Sequence, residues 1–307
     1  MVLVAPVTSA ELHFPAVRSP IEVIGAFTPS DPVTEGRIAR LEKLEATFKT
    51  RNISVRYTKH ALLQPPTGRV AAHLRAFDFR ELIERPDVDV AISVCGGKTC
   101  QELLPFIDFR AIRESAKPLF GFSNACILLN AVSSLSEIVT FYGPESLNRL
   151  ALSSRFVDQL LDVSEWTAPV QGSRYTTISP GMAEGRLFGG NLSSFMDGIF
   201  ETNYEPRWER RLFFWEAGSG DAWQIAVMLE TLLNAGFERT ISGMLVGVIG
   251  DDPQAEAVSR LAPVLRRFNV PVLYLPVFGH FRDANPIIPI GAKGVLDADA
   301  GRLMIVR

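Results

Sequence analysis

Three side chains far apart in the sequence have the types that acyl-transfer chemistry uses: Ser123, Glu216 and His280. Ser123 stands where the apolar run Leu119-Phe120-Gly121-Phe122 ends and Ala125-Cys126-Ile127-Leu128-Leu129 begins. A strand that turns sharply into a helix at a serine lifts the hydroxyl above the sheet. The helix's first free N–H groups then face the place where an oxyanion would form. A small polar residue at such a junction is also an ordinary helix cap. The nucleophile-elbow pattern, moreover, has glycine two residues after the serine, where this chain has Ala125. His280 follows Val277-Phe278-Gly279 just past an apolar run, in a loop with Arg282, Asp283 and Asn285. Rigid elements present working side chains from such loops, although a loop histidine without a task fits the same pattern. Glu216 ends Leu212-Phe213-Phe214-Trp215, and a carboxylate there is costly unless paired, for which an imidazolium is suited; capping the next helix is the alternative. Gly96-Gly97, after Ala91–Val94, offers backbone N–H groups to an oxyanion or simply makes a tight turn. The other histidines are read as bystanders, His13 near the start and His60 and His73 as solvated side chains.

These residues need a scaffold, and the pattern predicts one of the α/β class. Strands are expected at Ile21–Phe27, Ile53–Tyr57, Val88–Val94, Pro118–Phe122 and Ile138–Tyr142. Helical spacing of Ile38, Leu41, Leu44 and Phe48, and of Val70, Leu74 and Phe77, separates the first three. Such alternation predicts a parallel, Rossmann-like sheet with ligands beyond the carboxyl ends of its strands, where Ser123 and Gly96-Gly97 both fall. Residues 1–165 are therefore read as a nucleophile-bearing domain, 166–184 as a linker rich in Pro, Gly and Ser, and 185–307 as a second domain. The second domain is expected to hold a glycine-rich corner at Gly185–Asn191 and strands at Leu212–Trp215, Met244–Ile249, Val272–Leu275, Lys293–Leu296 and Arg302–Val306. Helices are expected around Ala222–Asn234 and Gln254–Phe268.

Composition narrows the classes of function. With 307 residues, 47% of them hydrophobic, the chain can bury ordinary globular cores. Its formal charge of -3, from 31 basic and 34 acidic residues without a basic stripe, argues against nucleic acid or an anionic membrane as partner. Met1–Pro15 lacks the basic start and apolar run of a secretory signal, so a cytoplasmic location is expected. Pro118–Ser136 is uncharged, but its glycine, asparagines and serines suit buried core better than a bilayer. Cys95, Cys100 and Cys126 have no paired C-x-x-C spacing, which predicts reduced, buried thiols and no metal site.

Gly96-Gly97, Leu103-Leu104-Pro105-Phe106-Ile107-Asp108, Gly121-Phe122-Ser123 and Thr140-Phe141-Tyr142-Gly143-Pro144 follow one another in an order and spacing that resembles a family of serine peptidases. These are the LD-carboxypeptidases and microcin-C immunity proteins. Gly185-Arg186-Leu187-Phe188-Gly189-Gly190-Asn191-Leu192, Phe213-Phe214-Trp215-Glu216, Phe278-Gly279-His280 and Pro289-Ile290-Gly291 continue the likeness, which runs from Ile21 to the C-terminus. The resemblance implies a Ser-Glu-His triad at Ser123, Glu216 and His280, and an oxyanion hole from the N–H groups of Asn124 and Gly97. It implies a smaller C-terminal α/β domain with a barrel-like sheet carrying Glu216 and His280, the active site between the domains, no cofactor, and a homodimer.

Two departures bear on substrate. Typical LD-carboxypeptidases read Arg-Gly-Gly-Tyr-Gly in the glycine loop, where this chain has Cys95-Gly96-Gly97-Lys98-Thr99; with Thr140–Pro144 this leans toward the microcin-C immunity branch. The residue after the serine is usually aspartate and here is Asn124. The expected activity is cleavage of an amide in a small peptide-like or aminoacyl-nucleotide substrate. Lys98, Arg186, Arg282 and Lys293 are cations near the proposed site loops, and Trp166, Trp208 and Trp215 are rings able to stack on a base, or simply to pack. The competing reading is a binding protein that keeps the two-domain cleft without turnover; retention of all three triad residues argues against it.

Overall fold

The computed structural model describes residues 12–31, 33–63, 70–150, 154–280 and 285–306. In the first half, strands β1 (Val23–Phe27), β2 (Ser54–Tyr57), β3 (Val90–Ser93), β4 (Leu119–Gly121) and β5 (Thr140–Tyr142) pair in parallel in the order β5-β4-β3-β1-β2. The central strands β3 and β4 are buried along their whole length, as strands covered on both faces must be. Around them lie helices α1 (Glu35–Lys49), α2 (Ala72–Glu84), α3 (Phe109–Ser115) and α4 (Cys126–Ser136). α1 buries Leu41, Leu44 and Phe48, the stripe its spacing predicts. α4 has no outer face: ten of its eleven residues are buried. It is packed between the first sheet and a second one, which is why its sequence carries no charge. Asn130 is its only buried amide, and it donates to the carbonyls of Cys126 and Gly189 and accepts the Gly189 N–H, which ties α4 to the second sheet.

After α5 (Leu147–Leu150) and α6 (Ser154–Leu161) the chain builds β6 (Val170–Gln171), β7 (Thr176–Ser179), β8 (Met182–Asn191), β9 (Arg211–Ala217), β10 (Gly243–Ile249) and β11 (Val272–Tyr274). Helices α7 (Leu192–Gly198), α8 (Ala222–Asn234) and α9 (Gln254–Arg266) alternate with them, and β12 (Ile288–Ile290), β13 (Lys293–Asp297) and β14 (Arg302–Val306) close the chain. The second sheet runs β6-β14-β13-β8-β9-β10-β11-β7, with β8 to β11 mutually parallel. Its edges, β6 and β7, are joined by residues 172–175 alone. Laid flat, seven strand spacings would part them by about 34 Å, whereas that link reaches at most about 18 Å. The sheet therefore curls toward a barrel.

Three stretches differ from the sequence expectation. Residues 166–184, read as a linker, instead supply both edge strands and the start of β8; short edge strands tolerate the proline, glycine and polar residues that disguised them. Gly185–Asn191, read as a corner, belongs to β8, a ten-residue strand in mid-sheet. Its glycines answer close approach: a Cβ on Gly189 would stand 1.8 Å from the Phe214 carbonyl oxygen, and one on Gly190 2.5 Å from the Cys126 Cβ. β12, not expected at all, leaves the second half and pairs antiparallel with β5 as an edge of the first sheet. Its central Pro289 is acceptable only in such an edge position.

Packing of β8 on α4 yields a prediction. Gly190 has φ +134° and no room for a methyl, so Gly190→Ala is expected to lower stability by about 2–3 kcal/mol. Urea unfolding should show a lower midpoint with an unchanged slope.

Candidate active site

The carboxyl ends of the parallel strands of both sheets meet at one place, and the predicted serine, glutamate and histidine come together there. β4 ends at Gly121, Phe122 continues extended, and Ser123 turns the chain with φ +58° into a short 3-10 turn, Ser123–Ala125, that leads into α4. A non-glycine residue in this region costs on the order of 1 kcal/mol, and such strain is what a sharp elbow stores. Ala125, where the elbow pattern has glycine, is accommodated from the other side: a Cβ on Gly121 would lie 2.8 Å from the Ala125 methyl. Gly121 is the pattern's first glycine, two residues before the serine.

The His280 Nε2 lies 3.2 Å from the Ser123 Oγ, and its Nδ1 lies 2.7 Å from Glu216 Oε2. The His280 backbone N–H also donates to Oε2, at 3.0 Å. Glu216 Oε1 accepts from the Tyr142 hydroxyl at 2.9 Å and from Asn191 Nδ2 at 3.0 Å. Each carboxylate oxygen thus has two donors, although Glu216 has no exposed surface. Sheet register explains the arrangement. β8 and β9 pair Asn191 directly with Glu216, and β4 and β5 pair Gly121 with Tyr142. Gly218 leaves room for the imidazole, since a Cβ there would come within 2.6 Å of it. The Phe122 ring supports it from the other side, 5.0 Å centroid to centroid. Gly279 donates its N–H to Asn285 Oδ1 and fixes the backbone beside the histidine.

Electrostatics follow from these contacts. Burial by itself would raise the Glu216 pKa, but the His280 charge and the donors from His280 and Asn191 outweigh it and hold the carboxyl below its ordinary range. Burial pulls the other way on His280, and the Glu216 charge and hydrogen bond, with help from Glu145, overcome it and raise the imidazole above its ordinary 6.5. An ionised carboxylate only accepts, so Nδ1 carries the proton and Nε2 offers its lone pair to the serine hydroxyl.

Asn124 is buried, its Oδ1 accepting from the Ser30 hydroxyl at 2.8 Å and the Cys100 N–H at 2.9 Å, its Nδ2 donating to Ser194 Oγ at 3.3 Å. Gly96 packs on the serine, where a Cβ would stand 3.0 Å from Oγ, while the Gly97 Cα is turned onto Ser30 and Asp31. Thr99 anchors this glycine loop by donating its N–H to Ser30 Oγ and its hydroxyl to Asp31. The structure does not gather the other candidates. Trp166 and Trp215 are core residues, Trp166 packed on Phe120 and Phe141. Trp208, Arg186 and Lys293 line a surface cavity with Glu184 and Arg210. That cavity borders the far end of β8 from Asn191, roughly 20 Å away along the strand. Arg186 donates to the Gly291 carbonyl, Lys98 is exposed, and Arg282 lies outside the described residues. His60 is not solvated as expected but pairs with Asp78 at 2.9 Å. The three cysteines are free and buried, and burial pushes Cys95 up to about 11 and Cys100 up to about 12. Among the described residues no group of acidic, histidine or cysteine side chains is placed to hold a metal, and no helix is long and apolar enough to cross a membrane.

Sequence reasoning assigned no role to Tyr142 or Asn191. The available signal was positional, since both end strands that neighbour the strands carrying Ser123 and Glu216.

Comparison with known proteins places the chain among relatives of known kind. Residues 24–143 match the family model of the LD-carboxypeptidase N-terminal domain, and residues 184–296 that of the LD-carboxypeptidase C-terminal domain. A Vibrio cholerae protein named provisionally as a carboxypeptidase is 26% identical over 90% of this chain and 92% of its own. The microcin C7 self-immunity protein MccF of Escherichia coli is 26% identical over 43% of this chain and 47% of its own. The murein tetrapeptide carboxypeptidase of Pseudomonas aeruginosa is 25% identical over 73% of this chain and 78% of its own. Among solved structures, MccF bound to glutamyl sulfamoyl guanosine superposes with a TM-score of 0.79 at 20% identity, covering 97% of this chain and 99% of its own. An MccF-like protein from Bacillus anthracis gives a TM-score of 0.80 at 20% identity, covering 96% and 99%. At that identity the likeness speaks for the fold.

The pairing of Glu216 with His280 makes opposite demands on pH. A histidine whose pKa is raised on folding stabilises the fold below its unfolded value, and this is lost as pH rises through the folded one; a depressed glutamate stabilises above its unfolded value, and this is lost as pH falls. Both contributions coexist between the depressed Glu216 and the raised His280. Glu216→Gln removes the charge and leaves burial opposed by Glu145 alone. The His280 titration, followed by NMR, is expected to move from above 6.5 to below it.

Proposed function

The chain belongs to the LD-carboxypeptidase family, and from that premise we propose that it is a serine amidohydrolase working through Ser123, His280 and Glu216. The observation that carries this reading is the unbroken hydrogen-bonded row Ser123 Oγ, His280 Nε2, His280 Nδ1, Glu216 Oε2. As the Ser123 oxygen attacks the amide carbonyl, its proton passes to His280 Nε2; Glu216 holds the required tautomer and offsets the imidazolium charge. The carbonyl oxygen becomes an oxyanion facing the N–H groups of Asn124 and Gly97. The Ser123 N–H is already given to the Tyr142 hydroxyl, so this task falls to the residue after the nucleophile. Collapse of the tetrahedral species returns the proton from His280 to the leaving nitrogen. Water then attacks the acyl-serine, with His280 as base, and releases the acid.

The substrate is read as a small peptide-like molecule, in keeping with relatives named for murein peptides. A second reading, hydrolysis of an aminoacyl nucleotide or its sulfamoyl analogue, is favoured by the Lys98-Thr99 departure in the glycine loop and by the nucleosides bound to MccF. In either reading, residues 1–165 supply the nucleophile and residues 185–307 its two partners, and a homodimer is the proposed assembly. A non-catalytic binding protein has no use for a proton-transfer row with one free end on a serine.

Ser123→Ala is expected to reduce turnover by at least about a thousandfold with little change in substrate affinity. Parallel assays with a murein tetrapeptide and with aspartyl sulfamoyl adenosine also separate the two substrate readings. A variant that works at the wild-type rate overturns the assignment. In the wild type, kcat/KM should rise with pH through one ionisation above 6.5, since His280 must be neutral to accept the proton.

A further inference from the structure

The geometry points to Tyr142 as a positioning residue for the reaction proposed above: one buried hydroxyl locks the Glu216 carboxylate and the Ser123 backbone into a single register across the two sheets. Tyr142 ends β5 in the first sheet, and Glu216 lies on β9 in the second. The hydroxyl donates to Glu216 Oε1 at 2.9 Å and accepts the Ser123 N–H at 3.3 Å. Chemistry fixes both directions. An ionised carboxylate only accepts and a backbone N–H only donates, so a single phenol satisfies both groups only while it keeps its proton. Burial, then the neighbouring Glu216 charge, push its pKa well above the ordinary 10.0, so it stays a donor at any working pH.

The ring is as constrained as the hydroxyl. It stacks on Phe122 at 4.9 Å, packs on Phe214 at 5.6 Å, and is 1% exposed. Phe122 in turn carries the His280 imidazole. All three members of the catalytic row are therefore referred to this one side chain: the serine through its N–H, the glutamate through Oε1, the histidine through Phe122. Asn191 shares Oε1 but contacts neither of the others in this way.

The charged and titratable groups around His280 are Glu216 of β9, Glu145 and Arg149 at and beside α5, and Tyr142 itself, with Cys126 of α4 facing Glu216. Arg282 and Asp283 lie outside the described residues. Of these groups, only Tyr142 touches Glu216 and the nucleophile's backbone together. Removing its hydroxyl leaves the Glu216 charge less satisfied, so the carboxylate holds the His280 proton more tightly and the imidazole becomes harder to deprotonate.

The test is NMR titration of His280 in the full chain, which needs no substrate. Tyr142→Phe, identical in shape, is expected to raise the His280 pKa by about half to one unit and to lower kcat roughly tenfold at unchanged KM. Placing 3-fluorotyrosine at position 142, a more acidic and stronger donor that keeps the ring, should move the titration the opposite way. Opposite shifts support the proposal, and if Tyr142→Phe folds poorly, a downward shift in the fluorotyrosine protein supports it alone. An unmoved titration, or shifts of the same sign in both variants, overturns it and leaves Tyr142 a packing residue. Activity surviving in Ser123→Ala would sink the proposed mechanism instead, so the two readings fail separately.

Discussion

A carboxylate with no exposed surface is the constraint from which the rest of this molecule follows. Taking Glu216 out of water costs several kcal/mol by the usual reckoning for a buried ion, and the protein offsets it with two donors on each oxygen. Those donors come from β5, from β8 and from the Gly279-His280 segment, so no local element could assemble them. The first sheet must stand against the second with Tyr142 in reach of β9, which leaves α4 enclosed between the sheets and accounts for its uncharged sequence. The glycines of β8 allow that approach. The perturbed imidazole, the oriented tautomer and the aligned serine hydroxyl are consequences of satisfying one buried charge.

The elbow shows how a motif can be satisfied without being spelled. Glycine two residues after the serine is the pattern's usual answer to crowding between strand and helix, and Ala125 breaks it. In space the crowding involves two positions, and the pattern's other glycine, two residues before the serine, is kept as Gly121 on the strand and faces the Ala125 methyl. Asn124 is a departure of another kind. Its amide faces donors on one side, Ser30 and Cys100, and an acceptor on the other, Ser194, an environment that uses both ends of an amide and that a carboxylate could match only by taking Ser194's proton from Asn191.

Much of this was legible in the sequence wherever one residue's neighbours along the chain decide its state. Helix Ala222–Asn234 and strand Arg302–Val306 fall where periodicity predicts them, and the five parallel strands of the first sheet, β1 to β5, lie within the expected runs. The residue types at 123, 216 and 280 stood out because each is polar at the end of an apolar run. What was not legible depends on partners across space. β8 looked like a corner because its glycines answer to Phe214 and Cys126, and β12 has too few residues and a central proline to announce a strand. Tyr142 and Asn191 acquire their roles only from sheet register, which no window of sequence contains.

The return of β12 to the first sheet constrains how the molecule can move. Eight residues beyond His280 the backbone is pinned to β5, and β13 then pins it to β8. The Gly291-Ala292 link between these strands also bonds through its backbone to Leu187 of β8, so an opening of the two lobes here would have to break those bonds. Access to the row of Ser123, His280 and Glu216 is thereby left to the loops above the strand ends.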